Sequence, residues 1–124
     1  MAATHLIQRM FQYAVDVAQL TQSLPYSPIN KVYNAQLIRC SSSVYANYRA
    51  AQRAKSSADF IHKLKIVEEE CDETIGFLTL LKPFNPTAEK RIDELIQEGD
   101  ELIRIIVASI NSMRKRIANQ NNQP

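Results

Sequence analysis

Arginine and lysine carry the most legible chemistry in this chain, because they arrive in closely spaced sets. Arg49 and Arg53 are one helical turn apart, followed by Lys55, Lys63 and Lys65, and a second set, Arg114-Lys115-Arg116, closes the last apolar-periodic segment. Guanidinium groups one turn apart on a helix can meet successive phosphates side by side. Tyr48 lies beside the first set and Tyr45 one turn earlier. Cations interleaved with aromatic rings are the footprint of a phosphate-backbone binder.

The other chemically suggestive residues point to no reaction. The acidic run Glu68-Glu69-Glu70, with Asp72 and Glu73, lacks the Glu-x-x-His spacing of di-metal bundles. It reads as a solvated face, with Glu70 the member that turns inward, toward Ser41–Ser43. That serine cluster has no nucleophile elbow and no histidine at its level. Cys40 and Cys71 lack a CxxC spacing and read as reduced thiols, and they lie far in sequence from His5 and His62, which leaves no metal site. Asn47 falls on an apolar seam, where a carboxamide fixes register. No catalytic residue, cofactor or metal is expected, and the chain does not read as an enzyme.

The elements that must position these side chains are helices. Two glycines and no tryptophan in 124 residues argue against Gly-rich phosphate loops and turn-dense sandwiches, while 45% hydrophobic and 23% charged residues describe an ordinary globular domain. No stretch approaches a membrane span, and the N-terminal segment has no uninterrupted apolar core of a signal peptide, so a cytoplasmic protein is expected.

Prolines 25, 28, 83 and 86 punctuate four periodic segments. Their seams are Leu6, Met10, Tyr13, Val17, Leu20 and Leu24; then Tyr33, Leu37, Cys40, Val44, Asn47 and Ala51; then Phe60, Leu64, Val67, Cys71, Thr74, Leu78 and Leu81; and last Ile92, Ile96, Gly99, Ile103, Ile106, Ile110, Met113 and Ile117. Ser27-Pro28, Ser56 with Asp59, and Asn85-Pro86 supply the starts. The spacing predicts helices at about 4–24, 28–54, 57–82 and 86–118, forming a single domain over 1–118, with 119–124 a polar, disordered tail. Connections this short give an all-α, up-down-up-down antiparallel four-helix bundle. Further apolar residues off the seams, among them Phe11, Ile38, Tyr45, Phe77 and Leu80, fit either a wide core stripe or a second face for self-association.

In that topology one pole gathers Arg9, Arg49, Arg53, Lys55, Lys63, Lys65, Arg114, Lys115 and Arg116 against Asp59 alone, a net of +8, while the rest of the chain carries −6; the total is the formal +2. Cations at helix C-termini also complement the dipole, but nine exceed what capping needs.

The run Ser42-Ser43-Val44-Tyr45-Ala46-Asn47-Tyr48-Arg49-Ala50-Ala51, then Arg53-Ala54-Lys55-Ser56, then Asp59-Phe60-Ile61 with Lys63-Leu64 and Ile66 through Thr74, resembles the bacterial four helix bundle protein family, also called 23S ribosomal RNA intervening-sequence proteins. The resemblance implies an up-down bundle assembling as a homopentamer around a central channel. Similar pentamers are accessory proteins of diversity-generating retroelements, binding nucleic acid and a reverse transcriptase through basic surfaces. It also implies that Ser43, Asn47, Arg49 and Arg53 are shared family positions, together with the helix-three Glu73. Tyr45 departs from the family's usual glycine, and Gly76-Phe77 stands where a tryptophan is usual. The expected function is a non-enzymatic, oligomeric scaffold that contacts RNA or DNA backbone with weak sequence preference through its basic pole. The alternative is a protein adaptor docking a reverse transcriptase.

Overall fold

A computed structural model of the chain describes residues 2–122. Four α-helices occupy it: α1 (Ala2–Ser23), α2 (Pro28–Ala51), α3 (Ser57–Leu81) and α4 (Glu89–Asn121), with no strand among the described residues. Helices adjacent in sequence pack together and α4 returns to α1, the arrangement of an up-down four-helix bundle.

Two of the three predicted starts form as expected. Ser27 Oγ accepts from the Asn30 N–H at 3.0 Å with Pro28 in the first turn, and Ser56 Oγ accepts from the Asp59 N–H at 3.1 Å. The Asp59 carboxylate reaches back to accept from the Lys55 N–H at 3.0 Å, a variant of the capping box that adds a charge at the N-terminus of α3.

The third start differs. Asn85 caps nothing; residues 82–84 and 86–88 form two 3₁₀ turns, and α4 begins at Glu89 rather than 86. The Asn85 and Asn30 carboxamides instead exchange reciprocal hydrogen bonds, each 2.9 Å, and each amide also donates at 2.9 Å to a main-chain carbonyl, Leu81 and Pro25 respectively. This buried pair ties the α1–α2 turn to the α3–α4 turn, and it satisfies the polar atoms that the tight turns enclose.

The core follows the predicted seams with small rotations. Leu6, Met10, Tyr13, Val17 and Leu20 are buried on α1. On α2 the seam takes Tyr48, not Asn47: the Tyr48 ring is 7% exposed, so it is core rather than part of a polar surface. Stepping four residues from Val44 instead of three puts the larger apolar ring inside. Asn47 then stays at the edge and bonds only within its helix, donating to Ser43 O and Ser43 Oγ at 2.9 Å each. On α4 the same kind of shift buries Leu95 and Leu102 where Ile96 and Ile103 were expected. Gly99 has a steric reason to be glycine. A Cβ there would lie 2.6 Å from the Tyr13 hydroxyl and 2.8 Å from Ile75 Cγ1, so its absence lets α1 and α3 close on α4.

The ends also depart from expectation. Helix α2 stops at Ala51, leaving Arg53 and Lys55 in the turn that follows. Helix α4 continues to Asn121, so residues 119–121 of the expected disordered tail are helical, while 123 and 124 lie outside the described residues. Because Cys71 Sγ meets Gly99 O at 3.4 Å on antiparallel helices, the start of α3 is level with about residue 113. The remainder of α4 therefore runs on for roughly 12 Å at ~1.5 Å per residue. That overhang explains why Met113 and Ile117 are only half-buried.

Candidate nucleic-acid interface

The turn after α2, the start of α3 and the overhang of α4 share one end of the bundle. Tyr45, Ala46, Arg49, Ala50, Arg53 and Lys63 line an open groove of about 440 Å³ there. The small side chains of Ala46 and Ala50 leave the space, and the long cations border it. Phe60, Met113 and Arg116 line a second groove beside the start of α3, which puts the Arg114–Arg116 set at the same end as Arg49 and Arg53.

The cations of this end divide into two groups. Arg9 is not available to a ligand: its guanidinium is bidentate to Glu98, at 2.6 and 3.1 Å, with Glu101 at 3.4 Å. It sits about two turns from the start of α1, level with the acidic part of α4. Lys63 Nζ holds both oxygens of Asp59, at 2.8 and 2.9 Å, and keeps that carboxyl below its ordinary range, helped by the Lys55 N–H. Lys65 pairs with Glu68 at 3.2 Å. Among the described residues, Arg49, Arg53, Lys55, Arg114, Lys115 and Arg116 have no carboxylate partner. Six cations of the expected nine thus face solvent uncompensated. Elsewhere Arg39, Lys82 and Arg91 are engaged by acids, while Lys31, Lys90 and Arg104 have no carboxylate partner among the described residues.

Arg49 has an aromatic partner instead. Its Cζ stands 5.7 Å from the centre of the Tyr45 ring, and Tyr45 in turn packs edge-to-face on Phe11 of α1 with centroids 5.7 Å apart. The aromatic companion of this surface is therefore Tyr45 with Phe11, not Tyr48. Phe11, one position past the seam residue Met10, escaped the expected site because its partner lies on another helix.

The acidic residues singled out in the sequence do different work. Glu70 meets Arg39 at 3.2 Å, and Glu73 meets the same guanidinium at 3.3 Å. Glu70 therefore faces Arg39 rather than Ser41–Ser43. Partial burial, and then Glu73 beside it, push the Glu70 carboxyl above its ordinary range. Ser41 Oγ donates to Leu37 O at 2.7 Å within its own helix. Both thiols are free and buried; Cys40 accepts from the Thr74 hydroxyl at 3.1 Å, and burial pushes the Cys71 thiol up to about 12. Among the described residues, no three His, Cys, Asp or Glu side chains converge as metal ligands, and no helix is long and apolar enough to cross a membrane.

Four antiparallel helices with a cation-rich end define a small helical-bundle protein. The chain belongs to the 23S rRNA-intervening sequence protein family, whose profile matches residues 3–108. A solved structure from Bacteroides thetaiotaomicron, described as a protein with unknown function from the S23 ribosomal protein family, is similar at a TM-score of 0.78. The two are 27% identical over 90% of this chain and 99% of the other. No match is found among curated proteins.

Proposed function

We propose that the chain is a non-enzymatic, cytoplasmic scaffold that binds RNA or DNA backbone through the end carrying Arg49, Arg53, Lys55, Arg114, Lys115 and Arg116, with Lys63 and Lys65 at its edge. The observation that carries this reading is the concentration of unpaired cations. Among the described residues nine cations have no carboxylate partner, and six of them are gathered at this end, whereas Lys31, Lys90 and Arg104 stand singly elsewhere on α2 and α4. Unpaired cations at one end repel each other, a cost that a polyanion offsets by releasing its counterions. Nothing on this surface has the shape to enter a groove and read base edges, so sequence preference is weak.

The scaffold is a homopentameric ring, a reading supported by family membership and by apolar side chains left on the outside of α2 and α3, among them Val32 at 60% and Leu80 at 47% exposure. Five copies would bring five cationic ends to one duplex or strand. Native mass spectrometry reports the subunit number, and a monomer would contradict the multivalent part.

Replacing Arg49, Arg53 and Lys55 by Glu tests the binding surface. Loss of gel-shift binding with an unchanged helical spectrum is expected; unchanged binding overturns the reading. The second reading, an adaptor that docks a reverse transcriptase, is favoured by Tyr26 and Phe84, which stand 82% and 53% exposed on the turns at the opposite end. Under it, the Glu substitutions leave partner capture intact and nucleic acid has no effect.

A further inference from the structure

We infer that the surface joining Phe11 to the groove beside Arg49 binds single-stranded nucleic acid in preference to duplex, with an unpaired base stacked on Phe11 and flanking phosphates on Arg49 and Arg53. This inference rests on the proposed backbone-binding role of the same end. It goes further by naming the form of nucleic acid.

Three observations carry it. The first is the exposed aromatic side chain: Phe11 is 51% exposed although it sits at the α1–α2 boundary, where an apolar ring would otherwise be covered. Tyr45 fixes one edge of Phe11 through their edge-to-face contact, so the ring is held in place before any ligand arrives. A base offers its π-face to such a ring only when it is unpaired and unstacked.

The second is the order of groups across the surface. From Phe11 on α1 the side chains run to Tyr45 on α2, then along α2 to Arg49 and Arg53 in the turn after it, with Lys63 of α3 alongside. An aromatic edge followed by a bank of cations is the combination that holds a single strand, with rings taking bases and guanidinium groups taking phosphates. Tyr45 supports this division by holding the Arg49 guanidinium over its ring, away from carboxylates and pre-positioned for an anion.

The third is size. The groove of about 440 Å³ adjoins Tyr45 and has room for a sugar-phosphate segment of a strand whose base stacks on Phe11, just outside its lining. A duplex keeps its bases paired and offers no face to that ring. Duplex contacts would then be limited to phosphates reached by Arg49, Arg53 and the Arg114–Arg116 set. The single strand gains the stacking contribution in addition.

The test is fluorescence anisotropy on the full chain, with a labelled 12-nucleotide RNA single strand and with the same strand annealed to its complement. The expected result is single-strand affinity about tenfold or more above duplex, since one stacked base contributes ~1–3 kcal/mol and each 1.4 kcal/mol is tenfold. Phe11→Ala is expected to lower single-strand affinity about tenfold and duplex affinity by much less, removing the advantage, and Phe11→Trp to retain it. Equal affinity for both forms, or a Phe11→Ala variant that weakens both alike, overturns the stacking inference and leaves the backbone reading standing. Absence of binding to either form overturns both. Native mass spectrometry of Phe11→Ala guards the interpretation: a changed subunit number would mark Phe11 as a subunit contact and would also overturn the inference.

Discussion

Tyr13 packs closely against Gly99 inside the bundle, and a double-mutant cycle on them tests the packing argument quantitatively. The Tyr13 ring is buried, yet its hydroxyl has no hydrogen-bond partner among the described residues. Burial pushes its pKa far up, so it stays protonated and uncompensated. Leaving such a donor unsatisfied costs ~1–3 kcal/mol, and Tyr13→Phe removes the hydroxyl while keeping the ring. Allowing for the small void left behind, the variant is expected to gain about 1 kcal/mol, or about 4 °C in Tm for a domain of this size.

Gly99→Ala acts in the opposite direction. The added Cβ would stand 2.6 Å from the Tyr13 hydroxyl and 2.8 Å from Ile75 Cγ1. Overpacking of this kind costs ~1–3 kcal/mol, partly offset by the ~1 kcal/mol that Ala gains over Gly inside a helix. A net loss of about 1 kcal/mol is expected in the wild-type background. In the Tyr13→Phe background the closest contact is gone, so the loss should shrink by about 1 kcal/mol, although Ile75 remains. Urea denaturation followed by circular dichroism measures all four corners. Two results refute the reasoning: Tyr13→Phe destabilising by more than about 1 kcal/mol, or Gly99→Ala costing the same in both backgrounds.

The remaining expectations concern the turn lock and the buried thiol. Asn85→Ala leaves the buried Asn30 carboxamide half-satisfied and should cost ~2–3 kcal/mol by urea denaturation, and the double variant Asn30→Ala/Asn85→Ala should cost clearly less than the two single losses summed. Cys71, raised from 9.0 to about 12, binds its proton more tightly folded than unfolded. Its contribution is therefore constant below about pH 9 and is lost as pH climbs through 12, up to about 4 kcal/mol in all. Urea midpoints measured at pH 8 and pH 10.5 should fall by an amount that Cys71→Ala reduces; a Cys71→Ala variant with the same fall contradicts the assignment.

Much of the architecture was legible because helical periodicity and proline punctuation are local signals. The α1 seam from Leu6 to Leu20 and the caps at Ser27 and Ser56 needed nothing beyond neighbouring residues. What escaped required knowledge of a partner helix. A step of three or four from Val44 is equally helical, and only packing against α1 and α3 decides that Tyr48 enters the core while Asn47 stays out. Asn85 carries the same cap-then-proline pattern as Ser27, but Asn30 stands within 2.9 Å and takes its carboxamide. The convergence of Arg49, Arg53 and Lys63 followed from hairpin topology, whereas the removal of Arg9 and Lys65 by Glu98 and Glu68 depended on side-chain geometry that topology leaves open. Phe11 was visible as an off-seam aromatic; its place beside Tyr45 was not.

The salt dependence of nucleic-acid affinity tests the central claim most directly. In the proposed pentamer, with two phosphate contacts per subunit, about ten counterions would leave, and log K against log salt on duplex should fall with a slope of roughly −9. The Arg49→Glu/Arg53→Glu variant should bind far more weakly, and its slope should be markedly shallower. An affinity that stays flat between low and moderate salt, or a slope that the variant leaves unchanged, contradicts the account.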